Sequence, residues 1–190
     1  IINSIQGNEI LLNSLATVSF NTVEWERFIT SIRKEICYLA KESKDIKLKK
    51  LNRLTIAIAQ QCFLNEYVYE KNAEEEEIIN KLLSSINIMY KDINILAVIA
   101  CYVPIFKFKE KIQINSILNI SAEFDSLIKL QYLDPLKEEV IENKIYTFSE
   151  ITEKTSSKVR LQYEDNPYPR WSYTACSYEN KQTVNSIINN

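Results

Sequence analysis

Within Arg160–Trp171 the chain reads RLQYEDNPYPRW, which puts two arginines, three aromatic rings and two prolines on one short path. Pro167 and Pro169 fix their own backbone and push Asn166 and Tyr168 toward extended geometry. A guanidinium such as that of Arg160 or Arg170 holds a carboxylate through two parallel N–H···O bonds. Tyr168 and Trp171 offer rigid apolar walls. No other stretch combines charge, rings and stiffness in this way. A second, weaker set is Gln60, Gln61, Asn65 and Glu66, polar groups on an otherwise apolar run. Two roles are open to them: hydrogen bonds to neighbouring backbone ends, or a polar face formed by Gln61, Asn65 and Glu66 and turned to a partner domain.

The composition removes several kinds of chemistry. The chain of 190 residues has no histidine, so no imidazole base, triad or histidine-based metal site is available. It has one glycine, Gly7, and a phosphate-cradling loop needs several closely spaced. The cysteines at 37, 62, 101 and 176 are far apart and form no CxxC pair; the expectation is buried reduced thiols. Glu74–Glu77 suits the first turn of a helix better than a metal, because no aspartate or histidine is spaced to converge on it. The net charge of −2 and the absence of a basic tail do not imply nucleic acid. The longest apolar run, Ile95–Phe106, is too short for a bilayer, which takes about 20 residues. Polar residues at Asn3, Ser4, Gln6 and Asn8 break any signal-peptide pattern, so the expected location is cytoplasmic and the expected partners include neither membrane nor nucleic acid.

The elements that must hold these groups are helical. Few glycines argue against tight hairpins and β-rich folds. Apolar residues recur at helical spacing over Glu9–Phe20, and again from Trp25 to Leu39, where Asn21 and Glu24 suggest a capping box and Glu26, Arg33 and Lys34 fall on the polar side. Lys41–Lys50 reads as a solvated connection. Leu51–Tyr69 is apolar nearly all round, which marks a buried central helix. Asn72 caps the next helix, with Glu74–Glu77 in its first turn and Ile78, Ile79, Leu82, Leu83, Ile86 and Met89 as its stripe. Ile93–Tyr102 is a short buried helix stopped by Pro104. The region from Phe106 to Ile120 is less regular, and Ser121–Leu130 is helical again. Gln131–Leu136 reads as a turn around Asp134-Pro135, followed by a helix to Asn143, an extended piece at Lys144–Phe148 and a helix from about Ser156 into Tyr163. The expected fold is all-α: an irregular multi-helix bundle of about eight helices over residues 1–150, then residues 151–190 as a helix and an extended Pro/aromatic junction segment.

Several strings resemble a known family. Ala59–Tyr69 (AQQCFLNEYVY) is similar to an "ARQCFxNEYVF" helix, Cys101–Ile105 (CYVPI) to an "AYxPL" turn, Leu133–Glu139 (LDPLKEE) to "EPxEE", and Val159–Trp171 to "VRxQYEENPYPRW"; Phe28–Arg33 resembles a further helix. The parallel spans Asn21 to Trp171. The family is the helical region preceding the catalytic domain of bacterial class I S-adenosylmethionine-dependent methyltransferases. There the "NPYPRW" segment is soon followed by a strand and a glycine-rich nucleotide loop, and the sequence to Asn190 contains neither. The resemblance therefore implies a non-catalytic helper region. Its partner would be a catalytic domain in cis, with a protein substrate a further possibility, and S-adenosylmethionine would be the cofactor of the parent protein rather than of this chain. Arg160, Tyr163, Asn166, Tyr168, Arg170 and Trp171 are then candidates for the cofactor or substrate mouth, or for the seam between domains. The alternative is a stand-alone α-helical protein-interaction module.

Overall fold

The computed structural model describes residues 5–20, 22–42, 45–85, 93–146 and 154–165. These form an all-α bundle. Among the described residues nine α-helices run in order: α1 (Glu9–Thr17), α2 (Val23–Lys41), α3 (Asp45–Lys50), α4 (Asn52–Leu64), α5 (Ala73–Ser85), α6 (Ile93–Ala100), α7 (Ala122–Ile128), α8 (Asp134–Glu142) and α9 (Lys154–Asp165). Between α6 and α7 lie two 3-10 segments, Ile105–Lys111 and Ile114–Ser116, which account for the irregular periodicity there. No described helix is long and apolar enough to cross a membrane.

The centre is α4. Every residue from Leu54 to Leu64 is buried, and α1, α2, α6 and α7 pack around it. A helix apolar on all faces has no solvent side to show, so it takes the middle position. Ile58 at 0 % exposure is typical; burying such a side chain contributes about 1.5–3 kcal/mol. The expected helix to Tyr69 ends five residues early, because the chain turns sharply after Asn65.

Several local expectations differ from the structure. Lys41–Lys50 is solvated as expected, its described side chains being exposed except for the buried Leu48, but helix α3 forms within it. Gln131–Leu136 is not a turn. Residues Lys129–Leu133 form a π-helical segment in which the N–H of Asp134 donates to the carbonyl of Lys129, and the chain continues directly into α8. Pro135 sits in the first turn of α8, where a missing N–H is tolerated. Arg33, assigned by periodicity to the polar side of α2, is only 1 % exposed. The N-cap position of α2 is Thr22, whose side chain makes no capping hydrogen bond; Asn21 of the expected capping box lies outside the described residues. Where an extended piece is expected over Lys144–Phe148, residues 143–145 turn back onto the end of α8, and Thr147 and Phe148 lie outside the described residues.

Asn72 does cap α5. Its Oδ1 accepts from the N–H of Glu75 at 2.8 Å, and the Glu75 carboxylate accepts from the N–H of Asn72 at 2.9 Å, a reciprocal capping box. Cys37, Cys62 and Cys101 are buried free thiols. Burial pushes Cys37 up to about 11 and Cys62 up to about 12.

Candidate functional site

The chain after α4 reverses in two residues, and both have left-handed backbones: Glu66 at φ 52 and Tyr67 at φ 56. The N–H of Tyr67 donates to the carbonyl of Cys62 at 2.8 Å, and that of Glu66 to Phe63 at 3.1 Å. This is a Schellman ending with glutamate where glycine is usual. A side chain in this conformation costs about 1–2 kcal/mol. Glycine is nearly absent from this chain, so the corner carries side chains outward. The Tyr67 hydroxyl donates to the carbonyl of Ala100 at 3.2 Å, tying the corner to the end of α6.

From there the chain passes Tyr102, Val103 and Pro104 into the first 3-10 segment. The N–H of Ile105 donates to Gln131 Oε1 at 3.3 Å. The amide nitrogen of Gln131 in turn donates to the carbonyls of Ala59 at 2.9 Å and Ala100 at 3.2 Å. One buried side chain of the π segment thus fastens α4, α6 and the 3-10 segment together. It also fixes the start of α8, which carries Pro135 and Glu138.

These pieces enclose an open cleft of about 430 Å³. Phe63, Glu66 and Tyr67 come from the end of α4, Tyr102, Val103 and Pro104 from the turn after α6, and Phe106 and Lys107 from the 3-10 segment; Pro135 and Glu138 come from α8, and Lys71 also lines it. Rings and prolines supply flat apolar surface, and both signs of charge are present. The Lys109 ammonium lies 4.5 Å from the Phe106 ring centroid, a cation–π contact that orients that ring.

Tyr102 joins the cleft to a buried polar knot. Its hydroxyl donates to Glu75 Oε1 at 2.5 Å. Its ring lies 4.4 Å from the Arg33 guanidinium carbon. Arg33 Nη1 donates to the carbonyl of Tyr69 at 3.3 Å, Nη2 donates to that of Glu70, and Nη2 stands 3.9 Å from Glu75 Oε1. Burial, the Cys37 thiol and the bond to Glu75 all push the Tyr102 hydroxyl far above its ordinary range. It is therefore a fixed donor and not a proton shuttle at neutral pH. With Tyr67 committed to Ala100, the two hydroxyls of the cleft hold backbone and carboxylate in place. The arrangement suits recognition by shape and charge.

No family model, curated protein or solved structure matches this chain.

The residues expected to carry function divide sharply. Asn166, Tyr168, Arg170 and Trp171 lie outside the described residues, as does Cys176. Arg160 is exposed on α9, and the backbone of Tyr163 lies in the same helix. Glu66 lines the cleft. Gln61 and Asn65 do not face outward to a partner: they are 0 % and 7 % exposed. In the orientation its neighbours require, the Gln61 amide donates to the carbonyls of Val18 at 2.7 Å and Leu15 at 2.9 Å and accepts from the N–H of Phe20 at 3.2 Å. Asn65 donates to the carbonyl of Phe20 at 2.9 Å and to the Tyr69 hydroxyl, and accepts from Ser19 at 2.5 Å. Both satisfy the exposed carbonyls and amides left by the end of α1, the first of the two roles open to them. Burial raises the Tyr69 hydroxyl to about 12, against the opposing pull of its bond to Asn65.

Arg33, Glu75, Tyr102 and Gln131 were not singled out by sequence. For Glu75 the signal was present: Asn72 and Glu75 have the spacing of a capping box. For Gln131 no local signal exists, since its partners are Ala59, Ala100 and Ile105.

Proposed function

We propose that this chain is a non-catalytic helical helper region of an S-adenosylmethionine-dependent methyltransferase, serving to dock the catalytic domain or its substrate. The observation carrying this reading is the convergence at the cleft. Three separate strings that resemble the family, around Cys62–Tyr67, Tyr102–Ile105 and Pro135–Glu138, are distant in sequence and line one cleft. Convergence of that kind supports a shared role for those strings. The fixed hydroxyls of Tyr67 and Tyr102 support docking over chemistry. In this reading the methyl donor belongs to the parent protein, and Arg160, Arg170, Tyr168 and Trp171 lie along the path toward its catalytic domain.

The test is the encoded sequence after Asn190. A strand ending in a glycine-rich turn is expected within about 60 residues, since that element opens a doubly wound nucleotide-binding domain. A stop codon directly after Asn190 overturns the proposal and favours a self-contained interaction module. The mixed-charge aromatic cleft also fits that second role, because such surfaces bind peptides.

A further inference from the structure

We infer that a second hollow, between α1 and α7 and floored by α4, is a binding site for a small organic cation, an amidinium or primary ammonium carried on a compact apolar body. Its volume is about 320 Å³, at the small end of the roughly 300–1,000 Å³ common for ligand cavities. It shares no lining residue with the cleft beside α8, so the inference stands whether or not the parent protein is a methyltransferase. Both α1 and α7 pack on α4. On α4 the lining falls at Arg53, Ile56, Ala57 and Gln60, steps of three and four that keep one helix face turned to the hollow. Each helix adds an alanine, Ala16, Ala57 and Ala122, where a longer side chain would fill the space.

The deciding residue is Gln60. It is 5 % exposed, yet only one end of its amide is used: Nε2 donates to Ser126 Oγ at 3.1 Å. Its Oε1 has no hydrogen-bond partner among the described residues, and it is not sealed from solvent as Gln6 Oε1 and Arg33 Nε are. An amide oxygen held that deep costs stability until a donor reaches it, and the hollow that Gln60 lines gives a donor room. The sign of the donor follows from the rim. Arg53 is gripped by Glu9 through two bonds of 2.7 Å and stands 2.8 Å from Glu123 Oε1. One guanidinium between two carboxylates leaves one negative charge over, and Glu123 Oε2 has no partner among the described residues. Glu123 stands one helical turn before Ser126, the partner of Gln60, so the two free oxygens flank the same space. An anion would meet repulsion there, whereas a cation with several N–H groups answers both oxygens. Leu12, Ile56 and Ala57, all buried, give its body an apolar floor.

Three probes of one shape and different charge test this on the full chain: benzamidine, benzamide and benzoate, each titrated and followed by NMR chemical shifts. Benzamidine should saturate and bind about tenfold or more tighter than benzamide, the difference a charge-assisted hydrogen bond makes, and benzoate should bind weakest. Ala16→Phe, which fills the hollow from α1, should abolish benzamidine binding while circular dichroism stays unchanged. Should that variant fail to fold, Glu123→Gln at the surface serves instead, and should lower benzamidine to the affinity of benzamide. A capped Gly-Arg-Gly peptide should bind more weakly than benzamidine. Equal binding of the three probes, or no saturable binding of benzamidine, overturns the inference. So does tightest binding of benzoate, which puts the Gln60 N–H rather than its oxygen in the hollow. Benzamidine binding indifferent to both substitutions places the cation elsewhere, and tighter binding of the peptide assigns the hollow to a partner's side chain; either result overturns it.

Discussion

Two arginines in this molecule hold carboxylates in opposite ways. Arg53 grips Glu9 with two bonds of 2.7 Å and reaches Glu123 at 2.8 Å, joining α1, α4 and α7. Arg33 stands 3.9 Å from Glu75. By distance Arg53 is the better paired. Yet 46 % of the Arg53 side chain meets water and only 1 % of Arg33 does. Exposed pairs exchange one solvated state for another and contribute little. A buried guanidinium has no such exchange, so its carbonyls, its ring and its carboxylate are all that offset the loss of water. The comparison teaches that the weight of an ion pair here is set by what its partners are left with when it is removed.

The largest expected effect follows from that. Arg33→Ala leaves the buried Glu75 carboxylate with its Tyr102 and Asn72 donors but without its cation, strips the carbonyls of Tyr69 and Glu70 of their guanidinium, and should cost about 3–5 kcal/mol, read as a fall in the urea midpoint at unchanged slope. An unmoved midpoint would break the comparison outright. Next comes Gln131→Leu. Similar in size but unable to bond, leucine leaves the N–H of Ile105 and the carbonyls of Ala59 and Ala100 short of a partner, for about 1–3 kcal/mol. It sharpens the point by showing that a neutral buried group obeys the same rule.

Alkaline pH probes burial without mutation. Cys37 sits at about 11 and Cys62 at about 12, against an ordinary 9.0, so the folded state binds protons that the unfolded state has released. This contribution is intact below pH ~9 and is lost as pH rises through the folded values. Thermal midpoints should fall across that window, and iodoacetamide at pH 8 should label these thiols only as fast as the chain opens. Rapid labelling of the folded protein would show the core to be open. The smallest effect belongs to Arg53→Ala, which should leave the midpoint within error at physiological salt, despite its short bonds. Its carboxylate partner is informative at low pH. The Arg53 hydrogen bond holds the Glu9 carboxyl below its usual value, so whatever stability the pair gives is present above the ordinary carboxylate range and disappears as acid protonates Glu9.

The all-α bundle was legible because α4 and its neighbours carry their periodicity in adjacent residues. Leu54 to Leu64 can be read as buried without knowing what covers them. The cap at Asn72 was legible for the same reason, its partner Glu75 being three residues away. The cleft was not, because it depends on pairings such as Gln131 with Ala59 and Tyr102 with Glu75. These join residues far apart in sequence and have no local pattern. Arg33 was misplaced because helical periodicity sorts side chains by polarity and cannot foresee a buried set of carbonyls awaiting a donor. Gln61 and Asn65 were read as candidates for display, and the end of α1 claimed them instead. Glu66 kept its surface role through a left-handed corner that a glycine-rich chain would have made without a side chain.

The π segment at Lys129–Leu133 has a consequence for the cleft that α8 lines. One extra residue in a helical turn rotates everything after it by about 100° relative to an uninterrupted α-helix. Pro135 and Glu138 therefore reach the cleft only because of that surplus residue. Were the same residues wound as continuous α-helix, Pro135 and Glu138 would turn away as a unit, so the width of this one turn selects which face of α8 lines the cleft without any change in the residues themselves.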